Sequence, residues 1–332
     1  MKTEYLPFTE NMIPQAGKLL ADRHANNRKR LPFLPWRFED PRAATRAVET
    51  LWEKKHRNGY AAFSAGKMTA YLIGATVSQP WGRSGYVHLP GYALAKAENP
   101  GLLQDLYALL GEDWVAKGNF NHYLYISAAD RNVLDALFDL GFGKERVDAL
   151  MRIDTLEIPK LAEPGDVTIR RAGKGDNHLL GSLSDVIMRA LAQPPYWHPT
   201  LPEDWDELYE GWSELPEEED WNIWLALEND EALGTIAFTT QEETDTDLLA
   251  SPQTVYLSVA ATKPHARGRG ISTALTWRGL EGSRRDGYRI CYTNWISPNL
   301  PASRFWPRFG FQEAAYRVAK KVSPMIAWTR HK

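Results

Sequence analysis

A short turn at residues 261–275, ATKPHARGRGISTAL, combines positive side chains with glycines where a strand leads into a helix. The first backbone N–H groups of a helix have no partner within the helix, and an anion can bind them. In the run Arg267-Gly268-Arg269-Gly270, the glycines allow close approach of the main chain, and the arginines add positive charge. The turn therefore predicts a binding site for a pyrophosphate group.

The run by itself allows two simpler interpretations. A glycine before a helix is often only part of a turn, and arginines in a loop are often only solvated. The residues also do not match the GxxxxGK[ST] pattern of a P-loop. They do not match GxGxxG either, because Ala274 rather than a glycine follows.

A second stretch, NLPASRFWPRFGF at residues 299–311, follows the turn some thirty residues later. Together the two stretches resemble the signature of the GNAT acyl-CoA acyltransferase superfamily, over roughly residues 167–322. The resemblance implies that acetyl-CoA is the cofactor, with its pyrophosphate on the amides of residues 267–272 and its pantetheine along the end of the fourth strand. The implied cofactor-binding residues are Ala260, Thr262, Arg267, Gly268, Arg269, Gly270, Ile271, Ser272, Asn299 and Trp306.

The sequence departs from this family where its members often carry catalytic groups. Trp306 stands where many members have a tyrosine that donates a proton, and an indole N–H is too weakly acidic for that role. The fourth strand lacks the glutamate base of several members and offers Tyr256 and Ser258, which share one face by period two. With Asn294, these are the candidate catalytic residues. Ordinary strand packing for the first two and a capping role for the asparagine remain the alternatives.

The region that selects the acceptor in this family corresponds to residues 192–221, which are rich in aromatic and acidic residues. Such a composition suits a cationic, partly apolar amine. Trp205, Tyr209 and Trp212 are spaced three and four apart, which predicts the core-facing stripe of a helix. Residues 196–198, which are Tyr196, Trp197 and His198, follow two prolines and are predicted to contact the acceptor. The Glu217-Glu218-Glu219 run is interpreted as a solvated face.

Composition limits the classes of protein that remain. The chain has 332 residues and a net charge of -3, which argues against a general nucleic-acid-binding role. It has no apolar run long enough to cross a membrane and no recognisable targeting segment, so a cytoplasmic location is expected. Cys291 is the single cysteine, which excludes an intrachain disulfide and makes a metal site based on sulfur improbable. No metal ligand is assigned, and the sequence leaves the oligomeric state open.

The chain contains the same order of predicted strands, helices and motifs twice. An offset of 169 residues (for example, 270 minus 101) relates three pairs of matching positions: Tyr86 and Val255, Gly101 and Gly270, and Phe142 and Phe311. Residues 59–77 and 222–240 both read as strand hairpins, with turns at Gly66-Lys67 and Asn229-Asp230. The predicted fold class is therefore α/β (α+β), with two GNAT-like domains that each hold a mixed, mostly antiparallel sheet flanked by helices. We place these domains at residues 1–155 and 167–332, with a linker at residues 156–166.

The first copy of the repeat lacks the positive charge that the arginine-glycine turn has in the second copy. Glu98 occupies the position that matches Arg267, and a carboxylate there would repel a pyrophosphate. Residues 1–155 are accordingly expected to form a degenerate domain that is structural, or that binds acyl-CoA only weakly. Asn99 and Pro100 are expected to cap the following helix, in which Leu103, Leu106, Leu110 and Trp114 share one face.

The leading hypothesis is an N-acetyltransferase that acts on a primary amine of a small cationic molecule, such as an antibiotic or a metabolite. Antibiotic resistance is the corresponding biological role. Two alternatives are a catalytically silent acyl-CoA sensor and an acetyltransferase acting on a protein amine. Binding of nucleic acid through the arginine turn is disfavoured by the acidic balance of charge.

Overall fold

A computed structural model describes residues 2–78, 82–159 and 165–330. The chain forms two compact units. Unit 1 comprises Met1–Asp148, Glu243–Ala250 and Glu313–Lys332, and unit 2 comprises Ala149–Glu242 and Ser251–Gln312. Residues 160–164 of the predicted linker lie outside the described residues, and residues 156–159 have no regular secondary structure. Within the described ranges, no helix has the length and apolar character needed to span a bilayer.

The elements follow one another along the chain in two similar series. The first series consists of β1 (Glu4–Pro7), α1 (Ile13–Arg28), α2 (Pro41–Trp52), β2 (Arg57–Ser64), β3 (Lys67–Val77), β4 (Ser84–Val87), β5 (Tyr92–Leu94), α3 (Gly101–Ala116), β6 (Asn121–Ser127), α4 (Arg131–Asp139) and β7 (Gly143–Arg152). The second consists of β8 (Thr168–Arg171), α5 (Asn177–Gly181), α6 (Ser184–Leu191), α7 (Trp205–Glu214), β9 (Trp221–Glu228), β10 (Glu231–Thr240), β11 (Thr254–Thr262), α8 (Ile271–Arg285), β12 (Ile290–Ile296), α9 (Leu300–Phe305), β13 (Gln312–Lys321) and α10 (Ile326–Arg330).

Each unit contains a mixed, mostly antiparallel sheet, as predicted. In unit 1 the strand order is β1-β2-β3-β4-β6-β13, with β5 paired to β3, and the β4–β6 pair is parallel. In unit 2 the order is β12-β11-β10-β9-β8, and the β11–β12 pair is parallel. The final strand of the second series, β13, lies in unit 1, where Ala315 to Lys321 pair with Ser127 to Asn121 of β6.

The predicted hairpins and helices are present. The turn between β9 and β10 is Asn229-Asp230, both with positive φ, whereas the first hairpin turns at Ala65-Gly66, one residue earlier than predicted. In α3 the four predicted core residues are all 2% exposed or less. Asn99 Oδ1 accepts a hydrogen bond from Gly101 N at 2.9 Å, at the start of this helix.

Cys291 is fully buried on β12, as the apolar sequence around it predicts. Burial raises the pKa of its thiol well above the usual range, because the thiolate would lose its hydration. This cysteine is a core residue of unit 2.

Candidate active site

The arginine-glycine turn lies in unit 2 between β11 and α8 and presents the open end of that helix. Gly268 and Gly270 have φ of 79° and 81°, in the left-handed region that favours glycine. A Cβ at either position would meet no atom within 4 Å, so the backbone conformation and not crowding requires glycine. No side chain in the described part of the chain caps α8 at Gly270. The first N–H groups of α8 are therefore available to an external anion.

The two arginines of the turn have different surroundings. Arg269 forms a forked ion pair with Glu228 at the end of β9, with one nitrogen–oxygen distance of 3.1 Å. The Arg269 guanidinium holds the pKa of the Glu228 carboxyl below its usual range. Arg267 is exposed, and its Nε donates to the Thr262 carbonyl at 3.3 Å. Within the described ranges Arg267 forms no ion pair, so its charge is the one left for a ligand.

Strand β11 has an open edge beside the turn. It pairs with β10 as far as Thr262, but with β12 only over Thr254–Leu257. The register with β10 shifts between Phe238↔Leu257 and Ala237↔Val259, which leaves Ser258 as a bulge. On the side of β12, residues 258–262 therefore have no neighbouring strand among the described residues. Their backbone groups can pair with the amides of an extended ligand, as an added strand would.

A cavity of about 480 Å³ is lined by this open edge, the turn and helices α6, α8 and α9. It brings together residues that the sequence predicts to bind the cofactor or the acceptor. These are Tyr196, Ala260, Thr262, Arg267, Ser272, Asn299 and Trp306. The other predicted residues are not among those lining it: Trp197, His198, Tyr256, Ser258, Gly268, Arg269, Gly270, Ile271 and Asn294.

Hydrogen bonds at the site fix several of these side chains. Thr262 Oγ1 and Ser272 Oγ are 2.8 Å apart, which joins the end of β11 to the first turn of α8. Asn299 caps α9, since its Oδ1 accepts from Ala302 N at 3.2 Å. Trp306 is 6% exposed and packs edge-on against Phe311 at 5.7 Å.

The candidate catalytic residues Tyr256 and Asn294 are in direct contact. Asn294 Nδ2 donates to Tyr256 Oη at 2.6 Å, and the Tyr256 ring stacks on Tyr292 with centroids 5.0 Å apart. Because the asparagine occupies the tyrosine oxygen as an acceptor, the phenolic hydrogen remains available for donation. This pair can orient a proton donor, which Trp306 cannot supply.

The acceptor side of the site differs in part from the prediction. Tyr196 stacks on His198 at 5.4 Å, whereas Trp197 is 67% exposed with a positive φ of 49°. The predicted core stripe on α7 is present only in part. Trp212 packs against the core cluster that includes Ile223 and Leu225 of β9, whereas Tyr209 is 47% exposed and no residue of the helix is fully buried. The helix lies mainly against α5 and α6, so its aromatic residues are only half covered.

Sequence reasoning missed the apolar wall that α6 contributes to the cavity. Val186, Ile187, Ala190 and Leu191 line it at spacings of one, three and four residues. That spacing is itself a signal of one apolar helix face. The sequence instead predicts contacts with the acceptor at residues 196–198, because these aromatic residues follow two prolines.

A second cavity, of about 470 Å³, lies between α6 and the loop before α8. Its charged residues are mostly paired already. Arg189 pairs with Asp185, and the Lys263 ammonium lies 2.9 Å from a Glu231 carboxylate oxygen. His265 is exposed and 3.8 Å from Glu231, and Arg267 lines both cavities. The turn is thus accessible from two sides.

The matching region of unit 1 is filled by its own side chains. Arg23, 7% exposed, donates to the carbonyls of Leu89, at 3.0 Å, and Tyr92. These two residues lie 169 positions before Ser258 and Ala261 of the open edge in unit 2. Tyr92, fully buried, accepts from Ser127 N at 2.8 Å and donates to Asp130 at 2.7 Å. The edge that is open in unit 2 is therefore satisfied internally in unit 1.

Comparisons with known proteins agree with this geometry. Residues 187–311 match the family model described as Acetyltransferase (GNAT) family. A GCN5-related N-acetyltransferase from Sphaerobacter thermophilus is 17% identical, with a TM-score of 0.57 over 96% of this chain and 95% of that one. A tandem GNAT protein from the clavulanic acid biosynthesis pathway is 13% identical, with a TM-score of 0.52 over 97% and 99% of the two chains. No curated protein sequence matches significantly.

Proposed function

We propose that the second half of this chain, whose residues 187–311 match the GNAT acetyltransferase family model, transfers an acetyl group from acetyl-CoA to the primary amine of a small cationic molecule. The similarity of the whole fold to a GCN5-related N-acetyltransferase and to a tandem GNAT protein supports the proposal. The observation that carries the proposal is the cavity in which the uncapped helix α8, the unpaired Arg267 and the open edge of β11 meet. A pyrophosphate requires the first two features, and an extended amide-bearing arm requires the third.

The residues present fit coenzyme A. Backbone N–H groups within residues 267–272 would hold the diphosphate, chiefly those after Arg267, because the Arg267 N–H already donates to the Pro264 carbonyl at 3.3 Å. The Arg267 side chain would add a charge-assisted hydrogen bond. The backbone of Ala260 and Thr262, beyond the last residue that pairs with β12, would hold the two amides of the pantetheine arm, with the Thr262 carbonyl exchanging its 3.3 Å hydrogen bond from Arg267 Nε for one from the ligand. Asn299 and Trp306 line the same cavity and would contact the arm from α9 and the residue after it.

Acetyl-CoA supplies an activated acyl thioester, and this chain must supply a dry site and a proton. The amine has to lose its ammonium proton before its nitrogen can attack the carbonyl carbon. As the carbon–sulfur bond breaks, the departing thiolate has to take up a proton. We assign that donation to the Tyr256 hydroxyl, which Asn294 orients. The proton that the attacking nitrogen loses as the amide forms then returns to the Tyr256 phenolate, which restores the donor. The acetylated amine and free coenzyme A are the products.

The acidic residues near α7 account for attraction of a cation but not for its binding in the cavity. Residues 203–220 contain ten carboxylates and no basic residue, and α7 packs on α6. Such a charge raises the local concentration of cationic molecules and their rate of association. Amine antibiotics and amine metabolites both belong to this substrate class.

The two halves have different proposed roles. Residues 167–332 carry the coenzyme site, residues 156–166 link the halves, and residues 1–155 are structural. The internally satisfied edge of unit 1, with Arg23 and Tyr92 in place of a ligand, supports this division.

The test is release of free coenzyme A thiol from acetyl-CoA in the presence of a library of primary amines. Amine-dependent release together with a product heavier by one acetyl group supports the proposal. Tight binding of acetyl-CoA without turnover on any amine would instead favour a silent acyl-CoA sensor, which the buried Trp306 in place of a tyrosine would explain.

A further inference from the structure

The cavity that holds the proposed acyl-transfer site has almost no charge. Of its 24 lining residues, all of them described, Arg267 is the only one with a charged side chain. The carboxylates of residues 203–220 do not line it. A bound molecule therefore meets one positive charge, at the end where the turn lies, and no negative charge.

The wall opposite β11 is apolar. Helix α6 contributes Val186, Ile187, Ala190 and Leu191, and the chain continues through Pro194 and Pro195. The apolar lining of the cavity is accessible to solvent: Pro194 and Pro195 are exposed, and Leu300, which lines the cavity from α9, is 40% exposed. Apolar surface that is concave and accessible marks a ligand-binding region.

The near absence of charge in the cavity and its apolar wall favour an acceptor with one amine over an acceptor with several. A molecule with several ammonium groups would have to bury charges with no carboxylate to pair them, which is strongly unfavourable. A molecule with one amine has a smaller free-energy cost of burial, because its amine must already lose its positive charge before it can react. Its hydrocarbon part gains free energy from burial against the α6 wall, in proportion to the area covered.

We propose that the acceptor is a hydrophobic primary amine, an alkyl or arylalkyl monoamine, whose hydrocarbon body packs against the α6 wall. This inference rests on the proposed function. It assigns a specificity-determining role to Leu191 and Ile187, which lie one turn apart on the wall. The acidic residues near α7 then act before binding, by attracting the ammonium form.

The experiment measures kcat/KM with saturating acetyl-CoA for propylamine, butylamine, pentylamine, hexylamine and phenethylamine, with spermidine as the polycationic comparison. We expect kcat/KM to rise by about fourfold for each methylene that the wall covers. Spermidine should be the poorest of these acceptors. A preference for spermidine with no increase along the alkyl series would overturn the inference.

Two variants test the wall itself. Leu191→Asn should reduce the gain per methylene to less than about twofold, because the amide is poorly compatible with hydrocarbon. Ala192→Asn is the matched control, since Ala192 is the next residue, is exposed and does not line the cavity. An equal effect of both variants would contradict the assignment.

A second series separates the acceptor from the acyl group. With one amine held constant, acyl-CoA donors from acetyl to hexanoyl should give a flat or falling rate. A fourfold gain per methylene on the donor and none on the amine would show that the wall holds an acyl chain and would overturn the inference. If no amine turns over at all, the proposed function fails separately, and equilibrium binding of hexylamine against spermidine then decides the inference.

Discussion

Arg267 and Arg269 are the same residue type and lie two positions apart, but their neighbours leave only one of them ready to bind a phosphate. Arg267 has no ion pair among the described residues, whereas Arg269 is held by Glu228 in a two-bonded fork. An arginine that already satisfies a carboxylate must give up that pairing to bind a phosphate. The sequence run Arg-Gly-Arg-Gly does not distinguish the two.

The first prediction compares these arginines. Arg267→Gln should weaken coenzyme A binding by 10- to 100-fold, roughly the loss of one hydrogen bond to a charged group. The matched control is the double variant Arg269→Gln with Glu228→Gln, which removes a neutral pair and should change affinity by less than about threefold. Isothermal titration calorimetry with coenzyme A measures both. A larger loss in the double variant would reverse the assignment.

The second prediction concerns the proton donor. Tyr256→Phe removes the hydroxyl but keeps the ring that stacks on Tyr292. We expect kcat to fall by roughly 100-fold, within the range for loss of a general acid, while the affinity for acetyl-CoA stays within about twofold. Steady-state kinetics and calorimetry separate the two quantities. An unchanged kcat would remove Tyr256 from the mechanism.

At the scale of elements, the difference between the two halves lies in one strand edge. In unit 2 the edge of β11 from residue 258 to 262 has no strand partner on the side of β12. In unit 1 the parallel pair of β4 and β6 ends at Val87 and Leu124. Beyond that point Arg23 donates to the carbonyls of Leu89 and Tyr92, and the Tyr92 hydroxyl accepts from Ser127 N of β6. A ligand there would have to displace a buried guanidinium, which is costly.

The third prediction follows from that edge. Glu98→Arg restores the charge of the turn in the first half, yet it should not create a second coenzyme site. Titration calorimetry should give one coenzyme A per chain for this variant, as for the unaltered protein. A stoichiometry of two would show that charge alone, and not the filled edge, inactivates the first half.

Several elements could be predicted from the sequence because their signals are local. The hairpins, the apolar face of α3 and the start of α8 follow from period, turn residues and glycine. The aromatic spacing on α7 is equally regular, but spacing does not reveal what a helix packs against, and this one packs on other helices. The open edge of β11 and the Asn294–Tyr256 hydrogen bond depend on pairing between distant segments, which no local pattern encodes.

At the scale of the whole molecule, the sequence halves and the folded units are not the same sets of residues. Strand β13 belongs to the second half by sequence but pairs with β6 in unit 1. Arg317 on β13 is 4% exposed at its side chain and forms a forked ion pair with Glu145, also in unit 1. A repeat in sequence therefore predicts two similar series of elements but not which chain segment completes each unit.

The fourth prediction tests this exchange. A chain of residues 1–155 lacks β13, so Val318 is missing from its core and β6 is left with one unpaired edge. We expect this fragment to aggregate or to remain unfolded, as seen by circular dichroism. A peptide of residues 309–332 added in trans should increase its folded fraction. A stable, monomeric fragment without the peptide would contradict the account.

The fifth prediction is a loss of stability in mild acid that originates in unit 1. Burial lowers the pKa of His24 and of His88 to about 4, because the imidazolium form would lose its hydration. The unfolded chain binds these protons near pH 6.5, so stability is full above that pH and falls as the pH drops from about 6.5 towards 4. Urea unfolding at pH 7 and pH 5 should differ by about 2 kcal/mol or more.

The matched variant for this prediction carries glutamine at both histidines, His24→Gln with His88→Gln. Its free energy of unfolding should depend much less on pH between 7 and 5, whatever its absolute value. An unchanged pH dependence in the double variant would show that other groups cause the loss.

The most direct measurement is a crystal structure of the protein with coenzyme A. The diphosphate should lie against the backbone N–H groups of residues 267–272, with Arg267 in contact and the pantetheine arm beside Ala260 and Thr262. Density for the nucleotide against Glu98 and its neighbours, with the turn in the second half empty, would contradict the central claim that the open end of α8 captures this anion.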